Sequence, residues 1–228
     1  GSKSEENNEQ AAVTLNGIEV DPNATIKVGI SSSVLTLDPA NHRDRVTETV
    51  IRNIYDGLVT RTVDGKIVPE IAESWENVSP TVWEFKLRKG VTFHDGSALT
   101  ADDVVFTFER IINEGAMEGK TSPRKGLLAP VKSVEKIDEY AVRFNLEAPW
   151  PILLQMLPHQ QILPKSYFQK VGVDEFLKKP VGAGPFKFVE GKLDERIVLE
   201  RYDKYYGGSP DLAPVGPAQA KTVIFDVI

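Results

Sequence analysis

Three histidines, His42, His94 and His159, hold the most versatile side-chain chemistry in this sequence, because an imidazole can ligate a metal or move a proton near neutral pH. They are isolated from one another, and no His-Glu-x-x-His pattern occurs, so no zinc-type ligand pair is encoded. His94 precedes Asp95, a pairing that could orient a general base, but Asp95-Gly96 is more simply a tight-turn signal. Asp102 and Asp103 offer two carboxylates, yet neighbours on a helix point in different directions and suit its N-terminal amides better. The absence of cysteine removes thiolate nucleophiles, zinc-thiolate sites and iron-sulfur clusters together. No Gly-x-Ser-x-Gly occurs, which leaves a nucleophile elbow unsupported. Gly182-Ala183-Gly184 is glycine-rich, but no Gly-Lys-Ser/Thr follows, and Pro185 would interrupt the helix that a phosphate loop requires. We therefore assign no catalytic residue, no metal site and no cofactor.

What remains is chemistry suited to binding. His159, Gln160 and Gln161 lie between apolar stretches and two prolines, where three amphoteric side chains can offer donors and acceptors to a ligand or to water. Ser31 to Pro39 forms a small-residue loop directly after an apolar strand, an arrangement that can deliver backbone amides to a cleft or form an ordinary surface loop. The glycines at 182 and 184 permit close backbone approach.

The elements that must position these groups follow from periodicity. Thr25 to Ile30 reads as a short buried strand. Val46, Val50, Ile51, Ile54 and Leu58 recur at helical spacing, with Gly57 placed to end that helix in a left-handed conformation. Asp64-Gly65 turns a hairpin between Leu58 to Arg61 and Lys66 to Val68. Trp83, Phe85 and Leu87 alternate with charged residues as a strand, and Val91 and Phe93 resume the alternation after Lys89-Gly90. The period then changes to 3.6, with Val104, Val105, Phe108, Ile111 and Ile112 on one helical face behind a Thr100 cap. Asn113 to Pro130 lacks periodicity and reads as a surface loop; Val134 to Leu146 returns to strand alternation around Asp138-Glu139. Ile152 to Leu157 predicts a short helix, and Ile197 to Arg201 and Lys221 to Ile228 predict strands.

With 228 residues, 41% hydrophobic and 26% charged, the chain can form one large or two small globular units. A net charge of -6 and no basic stripe exclude nucleic acid and anionic membrane surfaces as main partners. No apolar run is long enough to span a bilayer. Residues 1 to 12 are polar and acidic, unable to bury enough apolar surface to offset ordering entropy, and residues 1 to 20 are assigned as a disordered tether.

The run from Trp83 to Ile112, with Lys-Leu-Arg-Lys-Gly-Val-Thr-Phe-His-Asp-Gly followed by Leu-Thr-Ala-Asp-Asp-Val-Val-Phe-Thr-Phe, resembles the signature of extracellular solute-binding proteins of peptide and nickel ABC importers. Leu37-Asp38-Pro39, Tyr55-Asp56-Gly57-Leu58, Ala72 to Glu76, Val181 to Phe188 and Tyr202 to Gly208 are similar to further family segments, with Ala183 where the family usually has Thr. The resemblance covers about residues 25 to 228. It implies an α/β fold, the first lobe of a type II periplasmic-binding-protein-like architecture with mixed sheets and packed helices in two subdomains. Residues 21 to 40 and 181 to 228 would form a base subdomain, and 41 to 180 an inserted α/β subdomain. The second lobe and a C-terminal return would be absent.

The implied function is non-enzymatic capture of short peptides in an interlobe cleft and delivery to the transmembrane subunits of an ABC permease. The implied location is extracytoplasmic, in the periplasm or as a cell-surface lipoprotein. Oligosaccharides, opines and metal chelates are alternative solutes; the absence of arginine between Arg143 and Arg196 argues against anionic chelates. A hydrolase and a ligand-free interaction module are the competing classes. By this resemblance the cleft-facing candidates are Ser32, Ser33, Val34, Leu35, His159, Gln160, Gln161, Gly182, Ala183 and Gly184.

Overall fold

The computed structural model describes residues 13–15, 18–211 and 218–228. In chain order the elements are β1 (Val13–Leu15), β2 (Ile18–Val20), β3 (Thr25–Ile30), α1 (Arg45–Ile54), β4 (Val59–Arg61), β5 (Ile67–Pro69), β6 (Ala72–Ser79), β7 (Val82–Leu87), α2 (Ala101–Ile112), β8 (Val131–Asp138) and β9 (Ala141–Leu146). They continue with α3 (Leu153–Met156), α4 (Lys165–Val171), α5 (Val173–Lys178), β10 (Phe186–Lys192), β11 (Arg196–Arg201) and β12 (Thr222–Val227).

Two four-stranded sheets organise the chain. The first is mixed, ordered β10-β11-β12-β3, antiparallel except for the parallel β12–β3 pair. The second, ordered β6-β7-β9-β8, is antiparallel throughout. The alternation predicted for Trp83 to Leu87 places Phe85 and Leu87 in the core of the second sheet, where Val104, Phe108 and Ile111 of α2 cover it. Phe144 of β9 meets Phe85 and Phe108 edge-on at centroid distances of 5.0 and 4.9 Å. Each such pair contributes about 1 kcal/mol beyond area burial.

The first sheet has its own core. Val50, Ile51 and Ile54 of α1 pack with Phe168 of α4, Phe176 of α5 and the sheet residues Ile197, Leu199 and Phe225. α1, α4 and α5, which come from within residues 41 to 180, thus turn their apolar stripes onto the base sheet. Asp103 strengthens this link: one carboxylate oxygen accepts the Thr100 amide at 2.9 Å and the other accepts the Lys165 amide at 2.9 Å, so α4 is clasped to the first turn of α2.

Other expectations change locally. The assignment of 1 to 20 as a tether does not hold for β1 and β2, which pair antiparallel; residues 1–12 and 16–17 lie outside the described residues. Gly57 does not end α1 in a left-handed conformation: the helix stops at Ile54 because Tyr55 is extended (φ -125°, ψ 146°), its amide still reaching Ile51 O. Val91 and Phe93 are buried on either side of an antiparallel bridge between Thr92 and Ala98, closed by the turn at His94 to Gly96 and by bonds from Phe93 N to Ser97 O and Leu99 N to Val91 O, both 2.9 Å or shorter, so the alternation survives in a pairing too short to be a strand.

Candidate ligand-binding site

The loop leaving β3 exposes Ser32, Ser33 and Leu35 and turns Val34 inward. The Val34 amide donates to Leu193 O and the Leu35 amide to Thr47 Oγ1, each at 2.9 Å. Among the described residues no hydrogen bond engages the backbone of Ser32 or Ser33. The loop bends at Ser31 and Ser32 and leaves the amides and carbonyls of Ser32 and Ser33 unclaimed, and it is fixed at its downstream end by α1.

The N-terminus of α1 joins this loop to the second predicted segment. Asp44 caps the helix, accepting the Thr47 amide and hydroxyl at 2.9 and 2.8 Å, and these bonds hold its carboxyl below the usual range. One residue beyond Thr47, Glu48 gathers three side chains. Its Oε1 accepts Gln161 Nε2 and lies 3.3 Å from His159 Nδ1, while Oε2 lies 3.5 Å from His42 Nε2. Burial pushes the Glu48 carboxyl up, but hydrogen bonds from His159, His42 and Gln161 outweigh it and bring it down to about 2. His42 Nδ1 accepts the Asp44 amide at 3.0 Å, so its proton sits on Nε2, facing Glu48.

The three predicted residues at 159 to 161 separate in role. His159 is exposed and Gln161 buried, and both contact Glu48. Gln160 is a strut: it accepts Arg124 Nε at 3.0 Å and donates to Met156 O at 3.0 Å. Arg124, brought in by the loop read as featureless, also donates to His42 O and His159 O at 2.9 and 2.7 Å. An arginine does reach this region, but its donors are spent on the fold.

Gly182, Ala183 and Gly184 are buried against the end of α1, and their expected cleft-facing role is corrected accordingly. A Cβ at Gly182 would collide with Ile54 O, and one at Gly184 would stand 2.6 Å from Ile54 C. Their backbone instead engages His94: Nδ1 accepts the Gly182 amide at 3.3 Å and Nε2 donates to Gly184 O at 2.9 Å. Burial pushes His94 down to about 4, so it is a neutral bracket.

Beside Glu48, α1, the start of β4 and the 158–161 segment enclose a cavity of about 260 Å³ that also meets Asp56, Glu70 and Gln161. Asp56 Oδ2 accepts both tyrosine hydroxyls of the 205–206 pair, Tyr206 at 2.7 Å. Burial pushes Asp56 up to about 6 despite those bonds. Glu70 Oε1 accepts the Gly57 amide at 2.8 Å; burial and the Asp56 charge push Glu70 well above the usual carboxylate range. Sequence reasoning missed Glu48, Asp56, Glu70, Arg124, Tyr205 and Tyr206 as cooperating groups. The available signal was Asp56 interrupting the apolar run from Ile54 to Val59, since a carboxylate inside such a run needs partners. Among the described residues no group of three or more acids and histidines could hold a metal ion, and no helix is long and apolar enough to cross a membrane.

Comparison with known proteins agrees with this architecture. The profile of the family described as bacterial extracellular solute-binding proteins, family 5 Middle, matches residues 66–228. The periplasmic oligopeptide-binding protein OppA of Salmonella typhimurium is 28% identical over 207 residues, covering 83% of this chain and 38% of that protein. The oligopeptide-binding protein AppA of Bacillus subtilis is 37% identical over 176 residues, covering 73% of this chain and 32% of that protein. The structure of DppA from Helicobacter pylori in complex with the peptide STSA matches with a TM-score of 0.79 and 31% identity, over 90% of this chain and 43% of that one. The chain thus has the α/β fold of one lobe of a periplasmic binding protein and spans about two fifths of the length of these relatives.

Proposed function

The chain belongs to the bacterial extracellular solute-binding proteins of family 5, and on that premise we propose that it forms one wall of a cleft that captures short peptides for an ABC permease. The observation that carries this reading is the unpaired backbone of Ser32 and Ser33, set beside exposed Leu35, whose amide is held by Thr47 Oγ1 on α1. An extended peptide can add to such backbone as a strand, taking main-chain hydrogen bonds independent of its sequence, while neighbouring side chains sort its residues. Val34 turns inward beneath the loop, and Thr47, which holds the Leu35 amide, stands one residue before Glu48, the partner of His159 and Gln161.

Two lobes closing on a solute shift an open-to-closed equilibrium by contacting it on both faces. The second lobe of the full-length chain and the permease subunits are the proposed macromolecular partners. The proposed location is outside the cytoplasmic membrane, in the periplasm or held at the cell surface by a lipid anchor.

One wall supplies part of the contacts while the ordering costs remain. Residues 1–228 alone should bind tri-alanine or penta-alanine no tighter than about micromolar, which is about 8 kcal/mol. Amide NMR titration is the test. Saturable shifts at Ser32 to Leu35 support the reading; unchanged resonances there at millimolar peptide overturn it, and shifts with an oligosaccharide or opine alone replace the solute class.

A further inference from the structure

Asp56 and Glu70 reach the floor of one cavity from different elements, Asp56 just after α1 and Glu70 just after β5. Among the described residues neither has a cationic nitrogen within 4.0 Å. Arg52 acts on both, and Arg88 on Glu70, only at longer range, and burying carboxyl groups without a direct counter-charge is costly, so what the cavity offers them matters. Their protein partners are all donors directed at one oxygen of each group: the Tyr205 and Tyr206 hydroxyls at Asp56 Oδ2 and the Gly57 amide at Glu70 Oε1.

A separate observation points to a ligand. Gln161, only 3% exposed, lines the same cavity, and its Oε1 has no hydrogen-bond partner. The orientation of this amide is fixed because Nε2 donates to Glu48 Oε1. Glu48 adds a third carboxylate to the wall. The two arginines that border the cavity are exposed, and Arg61 is engaged by Gln155 O at 2.7 Å.

We propose that this cavity is a subsite for a cationic nitrogen group of the solute, an alkylammonium or a guanidinium. The proposal rests on the reading of the chain as a solute-binding lobe and assigns a charge preference to it. An ammonium brings three donors and no acceptor, and a guanidinium brings five, which complements the unclaimed carboxyl oxygens of Asp56 and Glu70 and the unpartnered Gln161 Oε1. A carboxylate or phosphate would face three acids with only the exposed side chains of Arg52 and Arg61 to oppose them, and an apolar group would leave the acids uncompensated. At about 260 Å³ the space lies just below the range of whole-ligand pockets, so it takes one end or one side chain of a solute.

The test uses non-peptide probes on residues 1–228. Amide NMR would follow Gly57 and the Gln161 side-chain amide during titration with n-butylammonium, n-butylguanidinium and neutral n-butanol. The expected result is saturable shifts for the cations with affinity at least tenfold above butanol, and a tenfold loss in Asp56→Asn or Glu70→Gln. Equal response to cation and alcohol, or no response to either, overturns the proposal whether or not the variants fold, and it leaves the peptide reading to its own titration at Ser32 to Leu35. Comparing Ala-Lys-Ala with its N-acetylated form and with Ala-norleucine-Ala identifies the source of the nitrogen: retention on acetylation with loss on norleucine assigns the side chain, and the reverse assigns the amino terminus.

Discussion

Arg110 grips Asp38 through two parallel hydrogen bonds, Nη1 to Oδ1 at 3.1 Å and Nη2 to Oδ2 at 2.8 Å, with both side chains 3% exposed. The pair ties α2, which covers the second sheet, to the loop that follows β3 in the first. Asp38 Oδ1 also accepts the Ala40 amide at 2.9 Å, and the guanidinium lies 4.5 Å from the Phe168 ring centroid. The burial that would lower the Arg110 pKa is outweighed by its bonds to Asp38 and Glu118.

Breaking this pair from one side leaves a buried charge alone. Arg110→Ala should lower stability by about 3 to 5 kcal/mol in urea unfolding at neutral pH. Asp38→Asn combined with Arg110→Met, which removes both charges, should cost less than Arg110→Ala. A double variant as damaged as the single one would mean that packing, not the uncompensated charge, dominates.

Gly184→Ala tests the corrected role of the glycine segment. The added Cβ would stand 2.6 to 2.7 Å from the Ile54 and Tyr55 backbone, which a side-chain rotation cannot relieve. A loss of about 1 to 3 kcal/mol is expected from overpacking. Peptide-induced shifts at Ser32 to Leu35 should persist in the folded fraction, since Gly184 faces the core.

Glu48→Gln tests the cluster on α1. The folded carboxyl is held at about 2, below its ordinary 4.5, so its contribution is full above pH 4.5 and is lost as pH falls through about 2. The stability gap between wild type and Glu48→Gln should therefore be larger at pH 6 than at pH 3. A gap independent of pH in urea titrations would show that the hydrogen bonds act without the charge.

The second sheet and α2 were legible because their periods are clean: Phe85, Leu87, Val104 and Phe108 go where alternation and 3.6 spacing send them. The assignment of α1, α4 and α5 to the base core was not legible, since an apolar stripe specifies that it is buried but not against which sheet. Ser32, Ser33, Leu35 and His159 could be named as surface groups from their loop context. The Glu48 and Asp56 clusters could not, because His42, Gln161, Tyr205 and Tyr206 are brought to them across separations that no local pattern encodes. Gly182 and Gly184 were correctly read as permitting close approach, but the approaching backbone is Ile54 and Tyr55 of the same chain.

Asp56 and His94 should give the protein two opposed pH dependences over the same interval. Asp56 is raised from 3.8 to about 6 on folding, so its contribution is fully present below pH 3.8 and is lost as pH rises through about 6. His94 is lowered from 6.5 to about 4, so its contribution is fully present above pH 6.5 and is lost as pH falls through about 4. Each displacement corresponds to about 3 kcal/mol, of opposite sign over the same interval. Glu70, also raised by burial, adds to the Asp56 side. Removing one group should expose the other: between pH 4 and 6.5, Asp56→Asn should gain stability relative to wild type as pH rises, and His94→Gln should lose it. Urea midpoints at three pH values in that interval measure both differences; in Asp56→Asn the part of the Glu70 displacement that the Asp56 charge causes is lost as well, which adds to the gain with the same sign. Two variants that run parallel to wild type would mean that neither buried group keeps its displaced ionisation, and that the Tyr205 and Tyr206 bonds to Asp56 form equally well with a charged or a neutral acceptor.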